Sequence, residues 1–230
     1  ALRSLLETGE TIRSPKHRTR AFPWAAQGAN VRFVSNDPHK GLAGQTIERL
    51  LITSMDRVPA GETVRISVPF FSPTDAVLKS MRSAARRGVK LRLLLNACNV
   101  ADPGMRLAAR GAQQTYRKLF DDFPVGSVEL YEWHAQRQRT ERYGALHQKI
   151  YIFGEHGPVV IGSSNLDTYS LRWNTEGVLA IEDAKLRDTV ARRFEQDLAR
   201  VEVVQVTRPK RGLVSWLAHA FYDWPVRLTP

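Results

Sequence analysis

Apolar positions along the chain separate an unpatterned start from a regular remainder. Up to about residue 30 they follow neither a period of two nor one of 3.6. Pro15, Pro23 and Gly28 also break up an Arg-rich run, so residues 1–30 are expected to form a linker or arm. From Gly41 to about Arg57, Leu42, Ile47, Leu50 and Leu51 share one side of a predicted helix. Val64, Ile66 and Val68 then alternate with Thr63, Arg65 and Ser67, the period of a strand. Ser72 reads as the cap of the next helix, with Pro73 at its first position, Asp75 three residues after the cap and Gly88 beyond its end. In that helix Val77, Leu78, Met81, Ala84 and Ala85 make an apolar stripe opposite Arg82, Arg86 and Arg87.

A strand over Val89–Leu95 follows, then a helix from Pro103, capped by Asp102, to about Phe120. Four short strands are predicted next, at Val128–Tyr131, Ile150–Phe153, Val159–Ile161 and Val178–Ile181. A long helix from about Ala184 to Val201 carries Leu186, Val190, Phe194 and Leu198 on one side. Strands that alternate with helices early and crowd together later predict an α/β fold, a mixed β-sheet flanked by helices on both faces, over residues 31–205. The remaining segment, 206–230, contains RGLVSWLAHAFYDW. Its Leu213, Trp216, Leu217, Ala220 and Trp224 are helically spaced, which suits packing against the domain; Trp beside Arg and Lys also suits a membrane interface. No tandem repeat or low-complexity tract is visible.

Composition narrows the partners. With 230 residues, 43% hydrophobic and 25% charged, the chain can bury a full core, which excludes a disordered chain. Thirty-four Lys and Arg against 23 Asp and Glu give a net charge of +11, favouring phosphate-bearing partners: nucleic acid or an anionic membrane surface. The single cysteine, Cys98, excludes an internal disulfide framework and a Cys-based zinc site, and its place after an apolar strand marks it as a small core residue. No His, Cys and carboxylate spacing suits a metal, and no cofactor is expected. No run of about 18 apolar residues is present, so a cytoplasmic or peripheral membrane location is expected. The chain starts at Ala1 without Met or a signal-peptide pattern, which suggests processing or truncation upstream.

The candidate chemistry is concentrated in LHQKIYIFGEHGPVVIGSSN, Leu146 to Asn165. His147 and Lys149 are two apart and therefore on one face of an extended segment. A turn at Gly154–Pro158 returns the chain, so that Ser163 and Asn165 reach the same edge. A neutral imidazole can attack phosphorus while an ammonium and an amide hold non-bridging oxygens, so the four side chains suit a phosphate. Phosphoryl transfer needs mainly positioning and charge neutralisation, which Lys149 and Asn165 can supply without a metal. Glu176, just ahead of the strand containing Val178, is the nearest carboxylate to orient the imidazole. Elsewhere, His156 reads as a turn residue, and His134 belongs to a basic loop with Arg137, Arg139 and Arg142 that either recruits an anionic substrate or is merely solvated.

HQK followed by GSSN and Glu176 resembles the phospholipase D superfamily, whose pattern is H-x-K-x4-D and then G-S-x-N. The run NLDTYSLRWNTEG, Asn165 to Gly177, is similar to the second half of its phospholipid-handling members, such as the cardiolipin synthases. The resemblance implies an α-β-α sandwich and a covalent phosphohistidine on His147. Lys149 and Asn165 would grip the phosphoryl group, Ser163 would line the pocket and Glu176 would orient His147. This sequence departs from the pattern in three places. Gly154 stands at the motif Asp, with Glu155 the neighbouring carboxylate offered as its substitute. Tyr169 stands where lipid-acting members frequently have Arg. Only one His-x-Lys occurs, although the family's active site needs two facing each other. The second is expected from another half or another subunit, and the missing Met, the linker-like start and the second-half run favour a C-terminal half-enzyme. The implied function is phosphodiester cleavage or phosphatidyl transfer on phospholipids. A nuclease of the same superfamily and a non-catalytic half-domain for binding or assembly are the alternatives.

Overall fold

The fold is taken from a computed structural model that describes residues 30–98, 103–134, 145–200 and 202–207. The predicted arm before residue 30, the cap at Asp102, most of the basic loop and the C-terminal segment beyond residue 207 lie outside the described residues.

The apolar alternation of the early strands builds a parallel block. β2 (Thr63–Ser67) pairs with β4 (Lys90–Asn96), Val64 opposite Leu91 and Ile66 opposite Leu93, and β4 pairs with β5 (Val128–Trp133). Parallel neighbours need crossovers, and α2 (Asp75–Arg86) and α3 (Pro103–Asp122) provide them. Beyond β2 the sheet becomes antiparallel through β6 (Ile150–Phe153), β7 (Val159–Gly162), β9 (Gly177–Glu182) and the edge strand β1 (Asn30–Ser35). β10 (Val203–Gln205) closes the opposite edge on β5. The eight strands run β1-β9-β7-β6-β2-β4-β5-β10, a mixed sheet as the sequence predicts.

Both faces are covered. Leu93, Leu95, Phe153 and Val160 point into the larger core with α1 (Thr46–Asp56) and α2. Leu94, Ile152 and Val159, one position out of phase, meet Phe194 of α4 (Ala184–Leu198) on the other face. Arg65 and Arg92 on the sheet also ion-pair with Glu195 and so tether α4. Cys98 is half-buried next to β4, and burial, helped by Glu132, pushes its thiol up to about 11. Among the described residues no helix is long and apolar enough to cross a membrane.

Three elements differ from the sequence reading. The first helix starts at Thr46: the preceding 3-10 segment Pro38–Gly44 is broken at Gly41, with φ 52°, which leaves Leu42 78% exposed rather than on the buried face. The cap of α2 is Thr74, whose hydroxyl accepts from Val77 N at 3.3 Å. Ser72 is instead extended, in the two-residue strand β3 (Phe71–Ser72) that pairs with β8 (Leu166–Asp167), as the residue before a proline tends to be. β1 escaped notice because its apolar Val31 and Phe33 are 51% and 67% exposed, so no buried face patterned the sequence.

Candidate functional site

The open end of the β6–β7 hairpin collects the residues singled out above. His147 and Lys149 lie in the extended segment leading into β6, Ser163 and Asn165 follow β7, and Glu176 directly precedes β9. Two backbone bonds draw these segments together: Gly162 N donates to Lys149 O at 3.4 Å, and Ser163 N to Gly177 O at 3.0 Å.

The flanks of His147 are clamped by residues that the sequence reading missed. Asn96, 1% exposed at the end of β4, donates to Leu146 O and accepts from Leu146 N, both at 2.9 Å. Gln148 Nε2 donates to Ser67 Oγ at 2.7 Å and to the buried Asp197 of α4 at 3.3 Å. Because side chains alternate in an extended segment, fixing residues 146 and 148 inward holds 147 and 149 outward. A polar residue closing the apolar run of β4 was the signal available for Asn96. Nothing local announced Ser67 or Asp197.

The Lys149 ammonium donates to His147 O at 2.9 Å and sits 3.3 Å from both imidazole nitrogens. Partial burial lowers its pKa, while the Glu176 and Asp167 carboxylates pull it back up. Lys149 therefore faces both the histidine and an acidic wall.

Glu176 is engaged differently from the expectation. One carboxylate oxygen accepts from Ser163 Oγ and the other from Asn174 Nδ2 at 3.3 Å, rather than from His147. Ser163 Oγ in turn accepts from Gly177 N at 3.1 Å, so the serine is tied to β9 as well.

Asn165 Nδ2 donates to Ser170 Oγ at 3.3 Å, while its buried Oδ1 has no hydrogen-bond partner among the described residues. Ser170 donates its N–H and Oγ–H to Asp167, at 2.9 and 3.3 Å; burial pushes the Asp167 carboxyl up, and the Ser170 bonds draw it back. The π-helical turn Tyr169–Trp173 frames this network. Asn36 holds the turn, donating to Ser170 O and Leu171 O at 2.9 and 3.0 Å while accepting from Ile47 N at 3.0 Å, which ties it to the start of α1.

At the far end of the hairpin, Gly154 adopts φ 68°, and a Cβ there would run into Glu62 Oε2 and lie 3.1 Å from Val58 Cγ1. The carboxylate standing beside this turn is that of Glu62, which accepts from Glu155 N at 2.7 Å. Glu155 contributes its amide and keeps its side chain exposed, so it does not replace the motif aspartate.

Residues 57–198 match the family described as "Cardiolipin synthase, PLD-like domain". Cardiolipin synthase B of Salmonella typhi is 34% identical over 164 residues, covering 70% of this chain and 34% of that protein. The chain thus spans about a third of the length of the curated relatives it matches. Among solved structures, phosphatidylserine synthase from Haemophilus influenzae superimposes with a TM-score of 0.64 at 14% identity, over 86% of this chain and 46% of that one. NucT from Helicobacter pylori gives 0.57 at 18% identity, over 77% of this chain and 99% of that one. At these identities the two superpositions establish the fold alone.

Proposed function

The chain belongs to the phospholipase D-like domain family of the cardiolipin synthases, and from that membership we propose that it carries one half of a phosphodiester-transfer site acting on phospholipids, with His147 as nucleophile. The observation that carries the reading is the convergence of His147, Lys149 and Asn165 at one end of the hairpin, with an ammonium 3.3 Å from the imidazole nitrogens.

In the proposed reaction an imidazole nitrogen bonds to phosphorus as the bond to the leaving alcohol oxygen breaks. That oxygen takes its proton from a second histidine. Water or an acceptor alcohol then attacks the phosphohistidine and restores His147. Lys149 and the Asn165 amide neutralise and orient the non-bridging oxygens, which is where phosphoryl transfer gains most from a protein. Glu176 acts through Ser163 and Asn174 in this reading, shaping the pocket and sustaining the charge on Lys149, and it reaches His147 only if the site rearranges on binding.

The sequence contains one His-x-Lys, so the proton donor comes from another phospholipase D-like half or from a second copy of the chain. A peripheral association with an anionic membrane surface follows from a lipid substrate. The net charge of +11 supports a second reading, phosphodiester cleavage in nucleic acid, for which activity would fall steeply with salt rather than depend on micelles or vesicles.

The test is to incubate the chain, alone and mixed with a candidate second half, with phospholipid labelled at phosphorus, and quench under denaturing conditions. Acid-labile, base-stable label on the parent and none on His147→Ala is the expected result. No label in any mixture, with the fold intact, would refute the nucleophile and leave a binding role.

A further inference from the structure

A cleft of about 670 Å³ opens at the end of the sheet opposite the histidine. One wall is a stripe of α1 carrying Arg49 and Thr53, continued by Arg57 just past its end, each four residues from the next. The facing wall is β1, where Arg32 and Val34 point to the same side, and His156 in the hairpin turn closes the end. Five strand residues at about 3.3 Å each place this turn roughly 17 Å from Lys149.

Its electrostatics are one-sided. Among the described residues, Arg32, Arg49 and Arg57 have no carboxylate within ion-pair range, and Arg49 donates only to the neutral Ala43 O at 2.8 Å. Among the described residues Glu182 is the one carboxylate of the lining, and it accepts from Asn30 at 2.9 Å; His156 lies 4.0 Å from Glu62. The apolar lining is formed by the half-buried Val34 and Pro158 over the buried Leu50, Val58, Phe153 and Ala180. Guanidinium forks bind phosphate oxygens in pairs, and an apolar floor under them accepts hydrocarbon.

We infer that this cleft binds a phosphate ester with an aliphatic portion, at a second site separate from His147. The phosphate bridges Arg32 with Arg57 or Arg49, the hydroxyl of Thr53 adds a bond, and the carbon chain lies on Val34 and Pro158. Such a site would anchor the domain to a lipid or hold a soluble phosphate ester.

Calorimetry on the full chain carrying His147→Ala and Lys149→Ala, which disables the phosphate pocket of the hairpin, separates the two sites. The probes are dihexanoyl phosphatidylglycerol below its micelle concentration, and glycerol 3-phosphate. The lipid is expected to bind at one remaining site, at least tenfold more tightly than glycerol 3-phosphate. Adding Arg32→Ala or Arg57→Ala should weaken it about tenfold each. Thr53→Asp, which sets a carboxylate one turn from both Arg49 and Arg57, should abolish binding while leaving the melting temperature at or above that of the parent. Loss of all binding in the His147→Ala, Lys149→Ala chain, or unchanged affinity in the arginine and Thr53 variants, would overturn the second site. Equal affinity for the two probes would overturn its lipid character in favour of a soluble phosphate ester.

Discussion

Restoring the motif aspartate at Gly154 should destabilise this protein. Gly154 has φ 68°, where a residue with a Cβ costs about 1 kcal/mol. Its Cβ would displace the Glu62 carboxylate, which accepts from Glu155 N at 2.7 Å, and hydrogen bonds to charged groups are worth about 1.5–3 kcal/mol. Gly154→Asp should therefore cost about 3 kcal/mol, a fall in Tm of roughly 6–12 °C for a chain of this size. Denaturant titration of the parent, Gly154→Asp, Glu62→Ala and the double variant closes the cycle. Glu62→Ala alone gives up the Glu155 bond but vacates the space, so the double variant should be less destabilised than the sum of the singles by about 1–2 kcal/mol. Chemistry at His147, roughly 23 Å along the extended chain from Gly154, should be retained in whatever fraction is folded. A Gly154→Asp that stabilises the chain, or costs the same with and without Glu62, would refute the idea that Glu62 occupies the place left by the aspartate.

Two further outcomes concern the site. Asn96→Ala leaves the buried N–H and C=O of Leu146 without partners and should cost about 2–4 kcal/mol by denaturant titration, with kcat falling more than KM changes because His147 loses its fixed approach; Asn96→Asp, which buries a carboxylate and sets an acceptor oxygen against Leu146 O, should cost at least as much. Lys149 assists only while protonated, and burial sets its pKa below 10.5, so activity should be complete below that lowered value and lost as pH rises through it. Glu176 raises the Lys149 pKa, so Glu176→Gln should move this alkaline limb to lower pH in a pH–rate profile, and an unmoved or rising limb would contradict the arrangement.

By itself the sequence determined the elements whose periodicity survives without context. The stripe of α2, the alternation of β2, the β6–β7 hairpin and the helix ending in Leu198 are all where the spacing of Val, Leu and Ile puts them, because each buries one face continuously. The His147, Lys149, Ser163 and Asn165 cluster was legible for the same reason: a two-residue spacing on either side of a tight turn fixes which side chains meet. Tertiary structure alone decided what such local rules do not encode. Whether Leu42 is buried depends on a break at Gly41, and whether β1 is a strand depends on its ladder with β9 rather than on a buried face. Glu176 goes to Ser163 and Asn174, and Glu62, 92 residues before Gly154, stands at the hairpin turn. The Asn96 clamp reaches 50 residues along the chain, and the cationic cleft draws on β1, α1 and the hairpin turn together. Such pairings arise only when distant segments share one sheet, since a hydrogen bond or an uncompensated charge is defined by its neighbours in space and leaves no period in the sequence.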